Sequence, residues 1–174
     1  MNKKTITLFS IPTLLIALVL AAVVLLVGNY VKNFNSGVNL NPQVLEINTS
    51  IVNDTTNDKV WLALTADEFQ KATKQNLTAD MFTDHILLGI ASIPQPNTGY
   101  GITLDNVRLR GTQVNINYHI YKPIKDMSYA EVITYPQLCF RIAKENLPIG
   151  TPLEFRFTNL TNKTHQIIQQ TLTL

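Results

Sequence analysis

The sequence has a single cysteine, Cys139, among 174 residues. One thiol excludes an intramolecular disulfide framework and a multi-cysteine zinc site. Seven glycines and eight prolines exclude a collagen-like repeat or a Pro-rich low-complexity chain. The three histidines, His85, His119 and His165, lie far apart and match no metal-ligand spacing, so no metal site is expected. No Gly-x-Ser-x-Gly surrounds a serine, and neither a P-loop nor a Gly-x-Gly-x-x-Gly fingerprint is present. The carboxylates form no paired motif, and nothing near Cys139 supplies the base that a nucleophilic thiol needs. These absences point away from an enzyme and imply no cofactor.

Charge is also scarce. Charged residues make up 15% of the chain, and the formal net charge is +2. That excess is Lys3 and Lys4; the 146 residues after Gly28 hold 12 basic and 12 acidic side chains. A neutral body lacks the basic footprint of a nucleic-acid-binding protein.

What the chain does have is one long apolar run. Residues 8–28 carry no charge, and fourteen of them are Leu, Ile, Val or Phe. As a helix these residues span roughly 31 Å, enough to cross a bilayer. The run exceeds a typical signal-peptide core and ends without a clean small-x-small cleavage site. It therefore reads as an uncleaved single-span signal anchor. Lys3 and Lys4 precede it, so the positive-inside rule puts residues 1–7 in the cytoplasm and the C-terminal part outside, on the cell membrane.

Residues 29–43, rich in Asn and without a period, read as a linker. Residues 44–174 are the expected extracytoplasmic domain. The cluster 53–58 (Asn-Asp-Thr-Thr-Asn-Asp) reads as a solvated turn, since it lacks the Gly and distal Glu of a calcium loop. Thr65 and Glu68 have capping-box spacing ahead of a helix from Ala66 to Gln75, with Phe69 and Ala72 inward. From His85 onward the pattern is β. His85–Ala91 reads as a buried strand. Residues 101–110 change parity at Asp105–Asn106, the mark of a bulge. Gln113–Tyr121 alternates cleanly. Val132–Ile142 is interrupted by Pro136, which favours an edge or bulge. Leu153, Phe155 and Phe157 face inward on a further strand, and 165–174 closes the chain. Six or seven short strands with one short helix predict a mainly β fold, an antiparallel β-sandwich or open barrel. Five Asn-x-Ser/Thr sequons, at Asn48, Asn53, Asn76, Asn159 and Asn162, read as an Asn/Thr-rich surface.

The most distinctive segment is Pro94-Gln95-Pro96-Asn97-Thr98-Gly99-Tyr100. Prolines fix φ, Gly99 permits a positive φ, and Asn97 and Thr98 can bond their own backbone. Pro96, Asn97, Thr98, Gly99 and Tyr100 are thus the candidate partner-binding loop, with Tyr100 as an amphipathic ring at its base. Tyr135 and Pro136 are a secondary candidate.

This loop, the two alternating strands after it, the Lys122-Pro123 loop and the stretch Val132 to Ile142 come in a recognisable order. Over residues 85–142 the chain resembles the PrcB-type C-terminal domain of protease complex accessory subunits. That family shows Pro-Thr-Gly-Gly-Tyr where this chain has Asn97-Thr98-Gly99-Tyr100. The resemblance implies a non-catalytic, membrane-tethered protein that associates with, or stabilises, an exported protease. A second likeness is to chagasin-type inhibitors of papain-like cysteine proteases. These carry a similar loop, here Pro96-Asn97-Thr98-Gly99-Tyr100, but their Gly-rich and Arg-Pro-Trp loops have no counterpart. A structural or small-ligand-binding envelope domain is the remaining alternative.

Overall fold

The computed structural model describes residues 22–24, 37–47 and 57–172. The chain divides into two units, Met1–Gly37 and Val38–Leu174. The expected membrane segment lies outside the described residues apart from 22–24, which are helical. Among the described residues no helix is long and apolar enough to cross a membrane.

Among the described residues the second unit has nine strands: β1 (Val38–Asn39), β2 (Gln43–Leu45), β3 (Lys59–Ala63), β4 (His85–Ala91), β5 (Gly101–Arg110), β6 (Gln113–Tyr121), β7 (Gln137–Ala143), β8 (Pro152–Asn159) and β9 (Thr164–Thr171). They form a five-stranded sheet, β1-β5-β6-β8-β9, and a four-stranded sheet, β2-β7-β4-β3. The sandwich expected from the sequence is present, with two or three more strands than the turn pattern indicates. One expectation is corrected: β6 pairs with β8 in parallel, not antiparallel. A parallel neighbour needs a crossover connection. Here the chain leaves β6 for β7 in the other sheet and returns to β8.

Two further corrections concern boundaries. Val38 and Asn39 pair with Leu109 and Arg108 of β5, and Leu40 is buried, so the folded unit starts inside the segment expected to be linker. Pro136 lies neither at an edge nor at a bulge. It ends the preceding loop, and β7 begins one residue later between β2 and β4. Proline has no N–H to give the ladder. Its carbonyl still accepts from the Ser92 N–H at 2.8 Å.

Period-two patterning explains the main core. Ile102, Val107, Val114, Ile116, Tyr118, Leu153, Phe155 and Phe157 point from the five-stranded sheet toward Ile86, Leu88, Ile90, Phe140 and Ile142 of the other. Strand β4 is buried on both faces, which accounts for its unbroken apolar sequence. Its other face, with Trp61, Ala63 and Cys139, packs against Phe69 and Phe82 in a second core. Phe69 belongs to α1 (Ala66–Thr73), and Phe82 to a 3-10 turn, Ala79–Phe82.

The cap of α1 forms at Thr65 as its spacing predicts, but the return bond of Glu68 goes one residue before the N-cap. The Thr65 hydroxyl accepts from the Glu68 N–H at 3.2 Å, and the Glu68 carboxylate accepts from the Leu64 N–H at 2.6 Å. The helix stops two residues short of Gln75 because Lys74 turns left-handed at φ 62°. The bulge in β5 is present too, with the register shifting between Leu104 and Asn106. Gly111 takes the positive φ, 60°, that the tight β5–β6 turn requires.

Two buried groups tie stability to alkaline pH. Burial pushes the Cys139 thiol up to about 12. Burial, then the hydrogen bond to Asp58, raises the Tyr118 phenol well above its ordinary range. Both are therefore held protonated by the fold, while the unfolded chain releases these protons at lower pH. Their contribution is complete below about pH 9 and falls as pH rises toward the folded values. Thermal melts should give a constant midpoint from pH 6 to 8 and a steep fall above about pH 9. A midpoint unchanged up to pH 11 would contradict this. In the same protein, Cys139 should resist alkylation at pH 8 until the chain is unfolded.

Candidate functional site

Every element that bears on the candidate loop converges at one end of the sandwich. Gly101 at the start of β5 pairs with Tyr121 at the end of β6, and Ala91 at the end of β4 pairs with Gln137 at the start of β7. The loops 92–100 and 122–136 therefore leave the two sheets side by side.

They are fastened to each other along their length. The Gln95 N–H donates to the Thr134 carbonyl at 2.8 Å, and the Thr134 N–H returns to the Gln95 carbonyl at 2.9 Å. The Thr134 hydroxyl donates to the Asn97 carbonyl at 2.9 Å. The Thr98 N–H donates to the Ala130 carbonyl, and the Ala130 N–H donates to the Thr98 hydroxyl, both at 3.2 Å. Within the first loop the Asn97 side chain accepts from the Gly99 N–H at 2.9 Å, the local turn expected of an Asn there. The loop is shaped, as its composition predicts, but its shape is set by a second loop as much as by its own prolines.

The role expected of Gly99 is corrected. It is absent from the positive-φ glycines, which are Gly37, Gly111 and Gly150. It is required for space. A Cβ at Gly99 would lie 2.7 and 2.8 Å from ring carbons of Tyr129 and 2.9 Å from the Pro123 Cβ. Tyr129 is a residue that sequence reasoning missed. Its ring covers Gly99, and its hydroxyl accepts from the Ile124 N–H at 3.0 Å, closing the turn that carries Ile124 and Met127. No local sequence signal announces such a ring-on-glycine contact.

Of the five primary candidates, Pro96 and Thr98 are exposed, Asn97 and Tyr100 are half-buried, and Gly99 is buried. Of the secondary pair, Tyr135 is half-buried and Pro136 buried. The structure brings both sets to the same end of the molecule. It also adds what the sequence did not single out. The second loop exposes Ile124 (66%), Met127, Val132 and Ile133 (70%), with Tyr121 at its root. Its exposed charges, Lys122, Lys125, Asp126 and Glu131, balance. The loop thus exposes several large apolar side chains and carries no net charge.

A buried carboxylate holds the base of this end. Asp58 is 7% exposed, which overturns the expectation that residues 53–58 form only a solvated turn; residues 53–56 lie outside the described residues. Its Oδ2 accepts from the Tyr118 hydroxyl at 2.7 Å and from the Asn159 amide at 2.6 Å. Its Oδ1 accepts from the Ile93 N–H at 3.3 Å, at the root of the candidate loop. The Gln166 amide donates to its backbone carbonyl.

The histidines are not brought together. His85 begins β4, His165 is exposed on β9, and His119 Nδ1 sits 3.0 Å from both carboxylate oxygens of Asp105 at the bulge. Among the described residues no group of three or more His, Cys, Asp or Glu is placed to hold a metal ion.

Residues 86–143, one third of the chain, match the family model described as PrcB C-terminal. The match runs from β4 to β7 and contains both fastened loops, in agreement with the resemblance over 85–142. No curated protein and no solved structure matches the chain.

Two substitutions test this geometry. Gly99→Ala should displace Tyr129 and cost about 1–3 kcal/mol. It should also speed amide exchange at Thr98 and Ala130, and unchanged exchange there would refute the fastening. Asp58→Ala leaves Tyr118 and Asn159 unpaired inside the protein. It should lower the unfolding free energy by about 3 kcal/mol in a denaturant titration.

Proposed function

We propose that this chain is a non-enzymatic, membrane-anchored extracytoplasmic module that associates with, or stabilises, an exported protease. Its contact surface is the paired-loop end. The observation that carries this reading is the concentration of exposed Ile124, Met127, Val132 and Ile133 on one loop. That loop is held in a defined shape and lies within the segment that matches PrcB C-terminal. Large apolar side chains gathered on one exposed loop are a feature of interaction surfaces. Preorganisation by the second loop lowers the ordering cost of binding.

The inhibitor alternative asks Pro96–Tyr100 to act as a projecting wedge, helped by a Trp-bearing loop. The loop is instead hydrogen-bonded to Ala130 and Thr134 of the second loop, and Trp61 is buried in the second core. Those observations favour a docking surface. The depression lined by the polar and charged residues Asn57, Lys163, Thr164, His165 and Gln166 is open, unlike the deep apolar pocket of a small-ligand carrier.

Tagged full-length protein, purified from detergent-solubilised membranes, should capture a protease from envelope or secreted fractions. The variant carrying Ile124→Glu and Ile133→Glu should retain its melting temperature, because both side chains are exposed. It should capture at least tenfold less, equivalent to about 1.4 kcal/mol or more. Capture of no protease at any salt concentration, or equal capture by the variant, would sink the proposal.

A further inference from the structure

The paired loops leave one feature of the fold without a role. Strand β9 is eight residues long, and among the described residues it has a single neighbour, β8. Their register runs unbroken from Pro152↔Thr171 to Asn159↔Thr164. The other sheet edges are short: β1 has two residues, β2 three and β3 five, opening on Lys59. Proteins blunt long edges with Lys, Pro, bulges or inward charges, because a bare edge is a template for another strand. β9 contains no Lys, Arg, Asp, Glu or Pro, and no bulge.

Its alternation is equally specific. Ile168 packs on the main core, while Ile167 points to the outer face and is 45% exposed. Around it that face is polar, with Arg156 directly across on β8 and His165 and Gln169 two residues away on either side.

We propose that the outer edge of β9 is a self-association surface, at which a second copy of this chain pairs antiparallel about a two-fold axis at Ile167. In that register Ile167 meets Ile167 of the second copy, His165 meets Gln169, and Gln166 meets Ile168. Core-facing residues stay on the core-facing side, so two five-stranded sheets join into one of ten. A two-fold contact must be complementary to itself. A charge at the axis would meet its own copy; β9 carries no Lys, Arg, Asp or Glu there or elsewhere. The central Ile pair is the kind of cross-strand contact that stabilises an antiparallel pair. The uncharged, unbulged edge with an exposed Ile at its centre therefore favours a copy of the chain as the occupant.

Site-directed cross-linking of the full-length protein in detergent tests the pairing. Buried Cys139 stays out of the reaction, and Ile167 is exposed enough to replace without disturbing the fold. Under copper-phenanthroline oxidation, Ile167→Cys should form disulfide dimers at least fivefold more efficiently than Gln169→Cys, which faces His165 of the second copy. The double variant His165→Cys with Gln169→Cys should recover the cross-link. Ile167→Lys should shift the protein to monomer in analytical ultracentrifugation while keeping a cooperative melt and an unchanged far-UV spectrum. Equal cross-linking at 167 and 169, or an Ile167→Lys dimer as stable as the parent, would overturn the proposal. A monomer whose Ile167→Cys thiol resists labelling would also overturn it, showing that another segment of the same chain covers the edge.

Discussion

The buried carboxylate of Asp58 is the constraint on which the loop end depends. It stands just before β3, at the margin of the four-stranded sheet, yet its hydrogen-bond partners belong mostly to the other sheet: Tyr118 on β6, Asn159 on β8 and Gln166 on β9. A sandwich held only by apolar contact can slide, because burial has no direction. Hydrogen bonds to a charged group do have one, and leaving a partner unpaired in the interior is costly. The carboxylate therefore sets how the two sheets meet at this end. Through the Ile93 N–H it also sets where the candidate loop begins. Packing, loop placement and the proposed docking surface all pass through this residue.

A second theme is the use of glycine as a seat for an aromatic ring. Gly89, Gly99 and Gly101 each lie where a Cβ would strike a ring, those of Trp61, Tyr129 and Tyr121 respectively. Two of these are direct cross-strand pairs, Trp61 with Gly89 and Gly101 with Tyr121. The ring fills the space that the missing side chain leaves, and the pair fixes register as a knob fixes a hole. The third pair, in the loops, does the same work between segments that share no regular ladder.

Much of the fold was legible because its signals are local. Alternation in Gln113–Tyr121, the parity change at Asp105 and the spacing of Thr65 and Glu68 each concern residues within one element. What escaped was contact between distant segments. Asp58 sits in a run of Asn, Asp and Thr that differs in no local respect from a solvated turn; only its position under Tyr118 makes it buried. The parallel pairing of β6 and β8 depends on β7 leaving for the other sheet, and no strand carries that information in its own residues. The candidate loop was visible through its Pro, Asn and Gly. Its partner was visible only as the Lys122-Pro123 loop, because Val132 and Ile133 read in sequence as part of a strand interrupted by Pro136. A reading that treats apolar residues as inward by default misses a surface built from them.

The second core has a consequence for how the molecule can be watched. Trp61 is the one tryptophan of the chain, and it lies over Gly89 with the Phe69 ring edge-on at 5.5 Å. Its indole therefore senses the layer between the four-stranded sheet and α1. The space between the two sheets, where Tyr118 lies, is optically silent at tryptophan wavelengths. Loosening of the helix layer and opening of the sandwich would thus register in different chromophores of the same unmodified chain.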